Sequence, residues 1–409
     1  MKRLLGVALG ILTAIGGFVD IGDLVTNSVV GARFGMGLAW VVVIGIIGIC
    51  AFAHMSGRVA AVSGRATFEI IRERLGARAA GANLLASFFI NLMTVTAEVG
   101  GIALTLQLAS SITYLAWIPV AAFFVWLVVW RVKFKILENV TGLLGLCLVA
   151  FAVALFQLGP NWLDLAGQAL NPTVPGNESP WTYWYYAVAL FGAAMTPYEV
   201  FFFSSGAIEE KWGPKDVAQS RINVLVGFPL GGLLSLAIAA CAAVVLMPQG
   251  ITVSSLSQVV LPVAEAGGKI GLIVVLVGIL AATFGAALET TLSSGYTLAQ
   301  YFGWTWGKRH RPAEAARFHV SMIATLLVGI AILATGVDPV MVTELSVVFS
   351  AVALPLTYVP ILVVANDPQY MGDAVNGRFL NGLGTIYLVI ILAAAIAAIP
   401  LMVITGAGA

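Results

Sequence analysis

The chain has 409 residues, of which 60% are hydrophobic and only 10% charged, and its formal net charge is +1. A water-soluble domain is typically about 25% charged, so too little polar surface remains to cover a soluble globule and most of the exterior must face lipid. The near-zero charge excludes a nucleic-acid footprint, and the widely spaced Cys50, Cys147 and Cys241 exclude a disulfide framework or a zinc site.

Met1-Lys2-Arg3 followed by an apolar run imitates a signal peptide, but no small-residue cleavage site follows, and the segment reads as an uncleaved first helix. A spanning helix needs about 20 mostly apolar residues. About eleven stretches qualify: 4–32, 37–55, 83–108, 112–130, 137–158, 183–207, 219–246, 268–302, 316–335, 339–365 and 381–404. The stretch 268–302 is long enough to include an extramembrane turn. Lys and Arg favour cytoplasmic loops. All of them except Arg33 and Lys269 fall on one side if the amino terminus is cytoplasmic and the carboxyl terminus extracellular, in the cell membrane. The segment 159–182 has no Lys or Arg and runs into Trp181, Tyr183, Trp184, Tyr185 and Tyr186, which reads as an outer loop and an interfacial aromatic belt. Its sequon, Asn177-Glu178-Ser179, is followed by Pro180 and is incidental.

Two spans are interrupted. The first carries Gly16-Gly17-Phe18-Val19-Asp20-Ile21-Gly22-Asp23 in its middle, and the sixth carries Gly192-Ala193-Ala194-Met195-Thr196-Pro197-Tyr198-Glu199. Glycine weakens a helix, while proline removes a backbone donor and clashes with the preceding turn. Two merely kinked helices would satisfy that pattern. The five-span separation favours corresponding broken helices in two halves of an inverted-repeat transporter, which point to a site at mid-bilayer.

Five acids fall within spans: Asp20, Asp23, Glu98, Glu199 and Glu289. No Lys or Arg lies at comparable depth. An ionised group at mid-bilayer costs about 2.5–3.5 kcal/mol on insertion scales, and Asp20 and Asp23 also repel each other, so an external cation is the economical counter-ion. Protonated, hydrogen-bonded aspartates are the plainer alternative; Glu98 also reads as a structural carboxyl, and Glu199 and Glu289 as structural or supporting groups. Glu344 lies near a span end and reads as interfacial. Two carboxylates, the Thr196 hydroxyl and carbonyls freed by the breaks suit a hard ion such as magnesium, manganese or calcium. His54, His310 and His319 lie away from the breaks, and Met195 is the one thioether nearby.

These residues resemble the Nramp divalent metal transporters over nearly the whole chain. Asp20-Ile21-Gly22-Asp23 stands where that family has D-P-G-N, and Ala193 through Pro197 stands where its sixth helix ends in M-P-H. Ala97-Glu98-Val99-Gly100 is similar to its third-helix A-E-V motif. Glu289-Thr290-Thr291 through Ala299-Gln300-Tyr301, Leu354-Pro355 through Asp367, and Met371-Gly372 match later stretches. The resemblance implies an all-α membrane protein of the LeuT type, with helices one to five and six to ten as inverted repeats and helices one and six broken. On this chain it implies a single domain over 1–409, with repeats at about 4–158 and 183–365 and an extra helix at about 381–404.

The same resemblance places the metal ligands on Asp20, Asp23, the Ala193 carbonyl and Thr196. The family's asparagine has become Asp23 and its methionine Thr196, so charge is added and the soft ligand removed. Pro197 fixes the register, which turns Met195 away by roughly 100° if the segment is helical. The family's histidines are replaced by Tyr198 and Phe203, and a third-helix aspartate by Val95. Glu98 remains of that apparatus, with Glu199, Glu289 and Tyr198 as further candidates for supporting the metal or passing protons. The pattern is similar to the Nramp-related magnesium transporters and implies Mg2+, with Mn2+, as cargo, weakly or not proton-coupled. A proton-coupled Mn2+/Fe2+ carrier and a cation-coupled organic-solute carrier of the same fold are the alternatives, although Asp23 would repel a substrate carboxylate. No nucleophile–base pair or cofactor motif suggests an enzyme, and the implied partners are the metal ion and the bilayer, with no obligatory protein or cofactor.

Overall fold

The computed structural model describes residues 19–408, and among these every regular element is helical. The first, α1 (Ile21–Phe34), begins abruptly at Asp20. With 14 residues it is about 21 Å long at 1.5 Å per residue, about two thirds of what a bilayer requires. The remainder of the predicted first span, including Gly16, Gly17 and Phe18, lies outside the described residues. Next come α2 (Ala39–Ser63), α3 (Thr67–Ser110) and α4 (Tyr114–Arg131). The fifth span is α5 (Phe134–Gly145), a 3-10 turn, then α6 (Ala150–Leu158), and it bends by 116° into α7 (Trp162–Leu170). The sixth is α8 (Pro180–Ala194) and α9 (Pro197–Glu209). Then follow α10 (Val217–Val245), α11 (Leu256–Phe302), α12 (Ala316–Ala334), α13 (Pro339–Ala365), the short α14 (Pro368–Met371) and α15 (Arg378–Ile404).

Each predicted span from the second onward has its helix. Nine helical units among the described residues are long and apolar enough to cross a membrane, and the bent pair makes a tenth. Two helices outrun their predicted spans because a glycine permits a sharp turn without ending the hydrogen-bond pattern. Gly76 (φ 81°) separates a polar first stretch of α3 from its apolar remainder, and Gly268 (φ 57°) turns the chain between two largely apolar stretches of α11. The turn expected within 268–302 therefore sits at its very start, and the helix beyond it is unbroken to Phe302.

Burial sorts the helices into centre and periphery. The most apolar stretch of the sixth span is 94% buried, against 28% for those of α4 and α15. The outer helices instead show Phe123, Phe124, Ile386, Val389 and Ile396 to the surroundings, which in lipid costs nothing. Interior helices approach closely through small residues. Gly31 of α1 lies against the Ala239 carbonyl of α10, and Gly192 of α8 against the Val347 carbonyl of α13. The longest shared face is between α3 and α11.

The segment read as an outer loop contains α7, capped by Asn161, whose Oδ1 accepts from the Leu163 and Asp164 amides at 3.2 and 3.4 Å. Gln168 on α7 accepts from the Met36 amide at 3.1 Å, which fastens it to the α1–α2 turn. Ser179 of the sequon caps α8 by accepting from the Thr182 amide. Arg33, one of the two basic residues assigned to the outside, is held at the far end of α1. Its Nε and Nη2 donate to both oxygens of Glu178 at 2.7 and 2.9 Å, and its Nη1 to the Tyr186 hydroxyl and the Gly408 carbonyl.

Candidate cation site

The first break is made by Asp20. Its backbone is extended (φ −99°, ψ −175°) and its Oδ1 accepts from the Asp23 amide at 2.8 Å, the bond of an N-cap. The positive end of the α1 dipole therefore faces two carboxylates, one capping and one in the first turn. Glu98 of α3 takes another donor that a helix start leaves open, accepting from the Ile21 amide at 3.2 Å through Oε1. Asp23 is 1% exposed and held from both sides: Asn27 donates to Oδ1 at 2.9 Å, and Ser235 of α10 bonds Oδ2.

The second break follows from Pro197. A residue before proline is pushed out of helical geometry, and Thr196 is extended (φ −61°, ψ 122°). Met195 ends α8 in a non-helical conformation (φ −117°, ψ 52°). Two of the carbonyls at the break find substitutes: the Thr196 hydroxyl donates to the Ala193 carbonyl at 2.7 Å, and the Tyr358 hydroxyl to the Met195 carbonyl at 3.1 Å. The Met195 sulfur is buried against Gly48 of α2, beside the Tyr387 ring. It is turned toward a neighbouring helix.

The two breaks meet. Tyr198, in the first turn of α9, donates to Asp20 Oδ2 at 3.4 Å. Val347 of α13 touches both, its side chain against Gly22 and its carbonyl against Gly192. Asp20, Asp23, Ala193 and Thr196 are all buried, between 1% and 6% exposed. Glu98 of α3, Glu199 of α9 and Glu289 of α11 are buried as well, at 0%, 6% and 5% exposed. Among the described residues, Oε2 of Glu98 and Oε2 of Glu199 have no hydrogen-bond partner. Among the described residues no three His, Cys, Asp or Glu side chains lie close enough together to hold one ion. Any ion here must complete its shell from carbonyl, hydroxyl and water oxygens.

Of the three positions where the resemblance placed lost proton carriers, Tyr198 bonds Asp20 and the other two pack against apolar neighbours. Val95 is fully buried, and Phe203 packs edge-on against Trp212 at 5.5 Å. His54 lies beside Arg58 and Arg221, His310 pairs with Glu314 at 3.6 Å, and His319 opens α12. Cys50, Cys147 and Cys241 are free thiols. Glu344 is half-buried on α13.

Sequence reasoning missed four polar residues. Asn27 and Ser235 hold Asp23, and Tyr358 satisfies the second break. Glu209, two residues beyond the predicted sixth span, is a buried carboxylate at the end of α9. It accepts from the Tyr296 hydroxyl at 3.0 Å and the Lys308 amide at 2.5 Å. Beside it the Lys308 ammonium, half-buried in the α11–α12 connection, is pushed down to about 8 by loss of solvent, against the pull of Glu209.

The family described as natural resistance-associated macrophage protein-like, Nramp, matches residues 10–400. A divalent metal cation transporter MntH of Erwinia tasmaniensis is 25% identical over 393 residues, covering 92% of this chain and 90% of that one. Its namesake from Klebsiella pneumoniae subsp. pneumoniae is 26% identical over 391 residues, covering 92% and 89%. Among solved structures, the Eremococcus coleocola manganese transporter bound to an aromatic bis-isothiourea compound superposes with a TM-score of 0.72 at 18% identity, over 95% of this chain and 85% of that one. The nucleobase-cation-symport-1 transporter Mhp1, in a closed conformation, gives 0.59 at 17%, over 96% and 91%. The fold is thus the LeuT-type inverted repeat with its first and sixth helices broken, and the chain is a transporter, not an enzyme. With a match from residue 10 to residue 400 and the two breaks joined around buried carboxylates, this chain belongs to the Nramp family.

Proposed function

We propose that the chain carries divalent metal cations across the membrane by alternating access, with Mg2+ as the preferred cargo and Mn2+ accepted. The names of its relatives support the divalent ion. The observation that carries the magnesium reading is the donor set: carboxylates of Asp20 and Asp23, the Ala193 carbonyl and the Thr196 hydroxyl, with the Met195 sulfur buried elsewhere. Mg2+ demands oxygen ligands and gives up its water reluctantly. A strongly negative, sulfur-free site without three converging side chains suits an ion that keeps part of its shell. Cadmium gains little there, because its favoured sulfur partner is missing.

In this reading the half-helices do the positioning. The α1 amino terminus holds Asp20 and Asp23 in place through backbone and side-chain donors, and the extended 195–196 segment presents carbonyl and hydroxyl oxygens across from them. Histidines, which commonly carry protons near neutral pH, are absent from the breaks, so transport proceeds without an obligatory proton. Purified chain in vesicles loaded with a pH indicator is expected to take up Mg2+ and Mn2+ without acidifying the lumen. A metal-dependent proton influx would instead favour the proton-coupled reading, for which the buried, half-satisfied Glu98 is the one specific support. Uptake of an amino acid in place of metal would overturn both.

The orientation is tested separately. With the amino terminus cytoplasmic, a cysteine at the exposed Gly176 should react with an impermeant thiol reagent from outside, and one at the exposed Ala77 should not. Reversed labelling would invert the assignment of every loop.

A further inference from the structure

An apolar groove of about 580 Å³ runs along the bundle, and no residue of either break lines it. Its walls include Ile102 of α3, Phe124 and Val128 of α4, Ile136 and Val140 of α5 and Val277 of α11, and every other described side chain lining it is aliphatic or aromatic. Phe124, Ile136, Val140 and Val277 are exposed, so the groove opens outward, where these apolar spans face hydrocarbon. One end of it is basic. Val132 lines the groove, and the next residue, Lys133, lines a second cavity of about 720 Å³ together with Lys308 and Arg309 of the α11–α12 connection. Lys308 joins the two: its ammonium donates to the carbonyl of Val128, a groove residue, at 3.5 Å. Three acids also line the second cavity, and each is engaged. Glu209 accepts from the Tyr296 hydroxyl and the Lys308 amide and lies 3.8 Å from Arg309. Glu210 accepts from the Trp212 indole and Asp216 from the Gly213 amide, both at 2.9 Å. The ammonium groups of Lys133 and Lys308 have no carboxylate within 4.0 Å among the described residues. Headgroup depth is marked at the same corner. Trp126 and Trp130 stack at 5.2 Å near the end of α4, and the Arg131 guanidinium lies 4.1 Å from the Trp130 ring, a pairing of aromatic and basic residues that belongs at a membrane interface.

We propose that this corner binds one anionic phospholipid, an acyl chain lying in the groove between α4, α5 and α11 and the phosphate held by Lys133 and Lys308 in the adjoining cavity. Basic pockets between spans at the membrane surface are where acidic headgroups bind. Neither half suffices alone: the groove by itself accepts any acyl chain, and the two lysines by themselves accept any anion. Their junction at Val128 and Val132 selects a molecule that carries both. A zwitterionic headgroup brings its own cation and leaves the two ammonium charges less well offset. Lys308 is half-buried, so its charge is screened less than that of a fully exposed lysine and gains more from a phosphate. A lipid seated here bridges the α4–α5 turn and the α11–α12 connection, the same connection whose Lys308 amide holds Glu209 at the end of α9.

The test titrates the purified full-length chain in detergent with phosphatidylglycerol or with phosphatidylcholine of the same acyl chains, and native mass spectrometry counts the lipid retained. Wild type should retain one phosphatidylglycerol at least tenfold more tightly than phosphatidylcholine. Lys133→Gln with Lys308→Gln should bring the two lipids level. Val277→Trp, which fills the groove from an exposed position, should weaken phosphatidylglycerol at least tenfold with both lysines intact. Equal retention of the two lipids by wild type would overturn the proposal, as would a preference that survives loss of both lysines. Binding untouched by Val277→Trp would put the lipid elsewhere on the basic face and remove the groove from the site. Competition by soluble glycerol phosphate at the same concentration as the lipid would reduce the corner to an anion site and overturn the acyl chain's part. A wild-type dimer that Val277→Trp dissociates would mean that a second copy fills the groove instead. Should the lysine pair fail to fold, as judged by its melting temperature, Lys133→Gln alone, at an exposed position, should weaken phosphatidylglycerol at least threefold and leave phosphatidylcholine unchanged; equal weakening of both would count against the headgroup contact.

Discussion

Uptake of Mg2+ and Mn2+ alike should fall by about a hundredfold or more in Asp20→Ala, because leaving a buried charge without its partner costs about 3–5 kcal/mol and every 1.4 kcal/mol is a factor of ten. Asp20 has two duties that this substitution removes together. It caps α1 through the Asp23 amide, and in the proposed function it brings one of the negative charges that face the cargo. Losing a cap alone destabilises a helix by about 1 kcal/mol, which a folded chain survives. Asp20→Asn separates the duties, since asparagine caps as well as aspartate but carries no charge. It should be folded, with α1 starting at the same residue, and nearly as inactive as the alanine variant. Normal metal uptake by Asp20→Asn would mean that the carboxylate is a structural cap and no ligand.

The second large effect expected is an inversion of selectivity in the double substitution Thr196→Met with Asp23→Asn. Thr196 now spends its hydroxyl on the Ala193 carbonyl. A methionine there frees that carbonyl and brings a thioether to the break, where the existing Met195 sulfur is buried against α2 and cannot serve. Asparagine at 23 removes one negative charge while remaining able to pair with Asn27 and Ser235. The site becomes softer and less charged, which favours cadmium over a hard ion. The ratio of Mg2+ to Cd2+ uptake should drop by about tenfold or more, equivalent to about 1.4 kcal/mol. An unchanged ratio, with both residues substituted and the chain folded, would remove the donor-set argument for magnesium.

How much of this was legible beforehand depends on the kind of signal each residue carries. The breaks were plain in the sequence because proline and glycine act through the local backbone: Pro197 forces Thr196 out of the helix whatever surrounds it. Buried acids were equally plain, since an apolar span gives a carboxylate nowhere else to go. Their holders were not. Asn27 and Ser235 look like ordinary helical polar residues, which often bond the carbonyl four positions back, as Ser235 also does to Gly231. Only the packing of α10 on α1 aims Ser235 at Asp23. Glu209 drew no notice because hydropathy ends the sixth span two residues short of it, and its burial comes from the α11–α12 connection folding over the end of α9. The turns at Gly76 and Gly268 were illegible for a related reason: the chain is rich in glycine, with 44 of them, and composition does not tell which are in the left-handed region.

The bond between the Thr196 hydroxyl and the Ala193 carbonyl bears on the unloaded half of the transport cycle. A carrier that is not driven by a co-transported ion must turn back empty after each delivery, and a vacant cavity lined by stranded oxygens would make that return slow. Here the segment closes on itself: Thr196 answers Ala193, Tyr358 answers Met195, and the Asp23 amide answers Asp20. With the proposed ligands Ala193 and Thr196, cargo displaces at least the first of these bonds, so loading and resetting draw on the same few atoms. Turnover should therefore be limited by neither the grip nor the release alone, and Thr196→Val, which has the shape without the hydroxyl, should slow the empty return more than it weakens binding.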